Sequence, residues 1–187
     1  MLPSLIGIIA SSGGTSSATS YESIATVTVG AGGSSSISFS SIASTYQHLQ
    51  IRGYCRTNYA GFADAAGFRL NSDSGSNYKA HFLRGDGSSA SAGVDTASYI
   101  YAGDVAGNGS GSNTFGTFVI DILDYANTNK YKTTRELVGI DNNGNGYVAL
   151  WSGLWLSTSA TNAVTLFPLY GTTFSQYSSF ALYGIKG

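Results

Sequence analysis

A chain of 187 residues and 19.4 kDa suits one domain and is long enough to bury a core without disulfide support. Only 10% of its residues are charged and the net charge is -1, so polarity rests on Gly, Ser, Thr, Tyr and Asn, which excludes an electrostatic grip on nucleic acid or an anionic membrane. The single cysteine, Cys55, has no intrachain partner and sits in apolar phase within an expected strand, as a small core residue rather than a reactive thiol.

Residues 1–10 (MLPSLIGIIA) are apolar but too short to cross a bilayer, and no Lys or Arg precedes them as in a signal peptide. Residues 11–20 (SSGGTSSATS) have the composition of a flexible linker. The two stretches predict an extended N-terminal docking arm and linker over 1–20, with Leu2, Leu5, Ile6, Ile8 and Ile9 as the partner-docking residues, ahead of a single β-sandwich domain over 21–187.

Strand patterns begin at Tyr21. Residues 21–29 alternate, and Gly30 to Gly33 turn the chain into 36–42, which reads as a hairpin. Residues 46–56 alternate most sharply, with Leu49, Ile51 and Cys55 on one face and His48, Gln50, Arg52, Tyr54 and Arg56 on the other. Residues 68–70 and 78–83 flank a polar turn and read as a second hairpin, while 85–92 and 103–113 read as Gly/Ser/Asn loops around a short strand at 98–102.

Residues 115–156 read as a three-stranded meander with turns at 124–129 and 141–146. Phe118, Ile120 and Ile122 share one face of the first strand, and Val138 and Ile140 share a face with Glu136 in the second. The third is apolar on both faces, Val148, Leu150 and Leu154 against Ala149, Trp151 and Trp155, which implies a covered central strand or one whose outer face meets a partner. Strands at 163–167 and 180–185 complete about ten, with regularly spaced turns and no amphipathic helix, and an all-β, antiparallel β-sandwich of jelly-roll type is expected.

The runs YESIATVTVG (21–30), TYQHLQIRG (45–53), DILDYANTNKYKT (121–133), GLWLSTSA (153–160) and QYSSFALYGIKG (176–187) resemble a widespread family of small proteins encoded among the virion genes of tailed bacteriophages, including phages of cyanobacteria and other aquatic bacteria. The resemblance implies a non-enzymatic virion structural protein on the particle exterior. It carries no catalytic residues. The arm favours a capsid decoration or cement subunit, a homo-oligomer and most simply a homotrimer, docking on the major capsid protein or another virion protein. The alternative is a receptor-binding module of a tail or head fibre that recognises host surface glycan through loops 85–92 and 103–113.

Site by site, the chemistry is sparse, and no cofactor is expected. His48 and His81 are too few for a multi-histidine metal site, and no nucleophile elbow or phosphate-binding loop is present. Asp121, Asp124, Glu136 and Asp141 are candidates for a glycosidase pair by strand proximity, though turn and strand-edge roles explain them more simply. Asp141, Asn143 and Asn145 match the first half of a calcium loop, but Ser152 stands where an acid is required. Arg84-Gly85-Asp86 reads as a chance tripeptide. Tyr99, Tyr101, Trp151, Trp155, Tyr170 and Tyr177 suit a core or subunit interface better than a sugar platform.

Overall fold

The computed structural model describes residues 20–187, so the predicted arm and its docking residues Leu2, Leu5, Ile6, Ile8 and Ile9 lie outside the described residues. Within them run β1 (Tyr21–Thr28), β2 (Ile37–Phe39), β3 (His48–Cys55), β4 (Ala63–Leu70), β5 (Tyr78–Gly85) and β6 (Ala90–Ala97). These are followed by β7 (Ile100–Ala106), β8 (Gly116–Leu123), β9 (Lys132–Asn142), β10 (Asn145–Trp155), β11 (Val164–Pro168) and β12 (Ser179–Ile185). The described residues contain no helix.

Two antiparallel sheets face each other. One has eight strands in the order β1-β12-β3-β8-β9-β10-β5-β6, and the other has four, β2-β11-β4-β7. The pairings are nested: β5 with β6, β4 with β7, β3 with β8, β2 with β11 and β1 with β12, alternating between the wide and the narrow sheet. The β9–β10 hairpin is inserted between β8 and β5, so that four strands, β9, β10, β5 and β6, extend the wide sheet beyond β1, β12, β3 and β8.

The core lies between the sheets, where alternation places Leu49, Ile51 and Cys55 of β3, Phe118, Ile120 and Ile122 of β8, Phe68 and Leu70 of β4, and Val164 and Leu166 of β11. The polar face expected for β3 is built as read: Arg52 Nε donates to Gln50 Oε1 at 2.7 Å, and Gln50 Nε2 donates to Asp121 Oδ1 at 2.7 Å. The meander is also as read. Its second turn is the two-residue Asn143-Gly144, both at positive φ (51° and 99°), the geometry whose twist matches paired strands.

The two other expected hairpins are corrected. β1 pairs with β12 and β2 with β11, so residues 29–36 carry the chain from one sheet to the other instead of folding it back on itself. In the same way β4 lies in the narrow sheet and β5 in the wide one, and the corner between them is turned by Asn71 and Ser72, both left-handed (φ 52° and 57°). The Asn71 side chain fixes that corner by donating to the Ala160 carbonyl and accepting from the Asn162 amide, each at 2.8 Å.

Two expected loops are partly strand. β6 (ASAGVDTA) is too rich in small residues to read as a strand by itself, and its regularity comes from pairing with β5 along its whole length. β7 runs on through Gly103, at φ 128°, where the β4–β7 register shifts. A Cβ there would lie 2.0 Å from Val138 Cγ1, so glycine is what lets β7 approach β9.

Candidate functional site

The outer face of the wide sheet, the side turned away from the narrow one, carries a group of apolar residues that the other described residues leave uncovered. Leu150 of β10 is in register with Leu83 of β5 on one side and Leu137 of β9 on the other, and Leu137 is in turn in register with Val119 of β8. Leu83, Leu137 and Leu150 are 57%, 56% and 53% exposed, and Val148 and Val94 are 60% and 71% exposed. These residues form a contiguous row of open leucines, in contrast to the singly scattered apolar residues that are normal on a protein surface. Of the two options for β10, cover on both faces is not what the described residues provide: Ala149, Trp151 and Trp155 are buried, while Val148 and Leu150 stand exposed on the outer face.

Next to the leucines lies a second row, Gly85, Val148, Gly139 and Thr117. Its glycines leave the sheet surface low, and with Phe115, Asp86, Asp141, Asn145 and Tyr147 they line an open groove of about 620 Å³. A Cβ at Gly139 would meet nothing closer than the Tyr147 carbonyl oxygen at 3.9 Å, so the missing side chain there creates space.

The residues singled out in the sequence fall elsewhere. Glu136 and Asp121 face opposite sides of the wide sheet, Glu136 fully buried and Asp121 bonded to Gln50 on the outer face, so they do not converge. Asp124 accepts a hydrogen bond from Lys130, and its backbone amide donates to His48 Nδ1 at 2.9 Å. Asp141 pairs with Gly146 across the Asn143-Gly144 turn, and this tight hairpin does not form the twelve-residue wrap of a calcium loop. No group of three or more His, Cys, Asp or Glu side chains is placed to hold a metal among the described residues.

Arg84 and Asp86 are engaged locally. The Arg84 guanidinium lies 4.6 Å from the Tyr147 ring centroid and 3.6 Å from Asp104 Oδ2, and Asp86 accepts from the Ser88 and Ser89 amides at 2.8 and 2.7 Å. Both tryptophans are core residues. Trp151 is stacked between Phe82 and Tyr101, and Trp155 packs on Tyr78 and donates to Asp73 Oδ2 at 2.7 Å. Tyr99 meets Phe167 edge to face, whereas Tyr170, beside Tyr59, and Tyr177 are exposed.

The glycine-rich loop after β7 is anchored by Arg56, whose guanidinium donates to the carbonyls of Asn108, Ser110, Gly111 and Thr114. That arrangement satisfies the cation with fixed dipoles and holds residues 108–114 against the body of the protein. Lys132 is buried in a similar way, its ammonium donating to the carbonyls of Asn127, Lys130 and Thr158.

Cys55 is fully buried, and burial pushes its thiol well above the ordinary value, with Asp64 adding to the effect, so its thiolate is suppressed. Burial likewise pushes the Glu136 carboxyl up to about 8; the nearby Thr134 hydroxyl offsets part of this and Asp121 adds to it.

Sequence reading found Val148 and Leu150 but missed Leu83 and Leu137. Their signal was an apolar residue out of phase with the buried set of its own strand, and only the cross-strand register joins them into one surface. Comparison with protein-family models, with curated proteins and with solved structures returned no match to this chain.

Proposed function

We propose that this chain is a non-enzymatic structural subunit of a bacteriophage particle, a capsid decoration or cement subunit on the virion exterior. It associates with copies of itself, most simply as a homotrimer, and fastens through the segment before β1 to a neighbouring virion protein such as the major capsid protein. Two things support this reading: the family resemblance of its sequence runs, and the leucine row that leaves one face of the sandwich open for contact. The latter is the observation that carries it. The jelly-roll lineage belongs to the same proposal, and its support is the nested pairing of first strands with last, which a double ribbon wound into two sheets produces.

The test is made on virions that lack this subunit. Particles that break at lower temperature or lower salt than complete virions, yet adsorb to cells normally, are the expected result. Particles of unchanged strength that fail to adsorb would refute the cement role and favour a second reading.

In that second reading the chain is a receptor-binding module of a fibre that recognises host glycan. The groove beside Val148 speaks for it, since Phe115 and Tyr147 there stand near Asp86, Asp141 and Asn145, an apolar wall with polar groups for hydroxyls. Binding of host surface polysaccharide that is lost in Gly139→Val, which fills the groove, is the outcome that would favour it.

A further inference from the structure

The leucine row sits on the strands that widen one sheet beyond the wound pairs. Leu137, Leu150 and Leu83 belong to β9, β10 and β5, and the row ends at Val119 of β8 and Ala92 of β6. The adjoining row of Gly85, Val148, Gly139 and Thr117 is also uncharged, whereas the row on the other side brings His81, Arg135 and Asp121. Two neutral rows therefore form a trough running across the strands, with a polar border on the leucine side. From β6 to β8 it spans four strand spacings, about 19 Å, which is the length of about six residues of extended chain.

One segment of the chain has the matching chemistry. Residues 2–9 carry Leu2, Leu5, Ile6, Ile8 and Ile9 with no charge, and they are joined to β1 by the Gly/Ser linker 11–20. Pro3 lacks an amide hydrogen, which suits a chain laid flat over side chains better than one added to a sheet edge.

Geometry also bears on whose face it meets. β1 is an edge strand, and Tyr21 lies in the row of Leu123, Thr133 and Leu154, at the far end of the strands from the groove. Its own Leu137 is four strands across and four residues along, roughly 23 Å away. A ten-residue Gly/Ser linker relaxes to about 17 Å and extends to at most about 35 Å, so reach admits its own trough as well as a neighbour's, and the choice of a second copy follows from the self-association proposed above.

We infer that the trough formed by Leu83, Leu150 and Leu137 with Val148 and Gly139 receives residues 2–9 of a second copy, so that copies are joined by exchange of these segments. The inference rests on the reading of the segment as a docking arm and makes its acceptor another copy of this chain in place of the major capsid protein. Each contact is head to tail, and a closed ring follows if the rotation between copies closes.

The test uses the purified full chain. Light scattering is expected to give a multiple of 19.4 kDa, falling to the single-chain mass in Ile6→Asp/Ile8→Asp and also in Leu137→Asp, whose site is more than half exposed and outside the core. Chains bearing Ile8→Cys are then mixed with chains bearing Leu137→Cys and oxidised with diamide, Cys55 being buried. A disulfide-linked pair of different chains is expected. A full chain that is monomeric, an oligomer unmoved by both sets of substitutions, or a disulfide that forms only when both cysteines share one chain would each overturn the inference. Because no virion enters this experiment, segment exchange in a protein that virions do not contain would leave it standing while refuting the particle role.

Discussion

Glu136 enters the interior on the strand face it shares with Val138 and Ile140, and neither carboxylate oxygen reaches a hydrogen-bond partner in good geometry. An ionised carboxylate there would be costly, and the group responds by keeping its proton, ionising at about 8 in place of 4.5. Between those values the folded protein holds a proton that the unfolded chain has released. Stability is therefore full below about 4.5, declines as pH rises through the window, and levels off above about 8, with a total loss of up to about 5 kcal/mol. Glu136→Gln removes the titrating group at nearly constant shape. Urea denaturation is expected to show its midpoint nearly constant from about pH 5 to pH 8 while that of the parent falls. The sequence placed Glu136 with Val138 and Ile140, yet its burial could not be read, because an acid in apolar phase is equally well explained by a solvated strand edge.

At the scale of elements, close approach decides what alternation cannot. Gly103 combines a left-handed backbone with a Cβ direction already filled by Val138, and it sits where the β4–β7 ladder slips by one residue. Gly103→Ala is expected to cost about 3 kcal/mol or more in chemical denaturation, far beyond the usual cost of losing a glycine, whereas Gly139→Ala, with open space above it, is expected to change stability by less than about 1 kcal/mol. The meander over β8, β9 and β10 was legible because each strand has a strong period and the Asn143-Gly144 turn is local. The partners of β1, β2, β4 and β5 were not, since glycine-rich and asparagine-rich corners look alike whether a chain turns back within a sheet or crosses to the opposite one. β6 was hidden for a different reason: its small residues have little strand preference without β5 beside them.

For the molecule as a whole, the unequal widths of the two sheets govern both exposure and local stability. The narrow sheet has half as many strands, and β6, at the far edge of the added hairpins, has one neighbouring strand and mostly exposed residues. Hydrogen exchange is expected to be fastest in β6 among the strands and slowest in β8 and β9, which have a strand on each side and supply Ile120, Ile122 and Val138 to the core. Equal protection across all strands would contradict this account of where the fold is thin. The two-sheet class was readable from turn spacing and period, but the widening was not, because it depends on which hairpins join the outer end of a sheet already formed.

The nested pairings also set an order of events at the ribosome. β5 with β6, then β4 with β7 and β3 with β8, can close while later codons are still being read, but β2 waits for β11 and β1 for β12, which wedges between β1 and β3. A nascent chain stalled before Ser179 would leave β1 without its ladder and one edge of β3 unpaired, a natural target for chaperones and proteases. Completion of this fold is thus tied to completion of the message through β12, and copies cut short before it would be open to clearance.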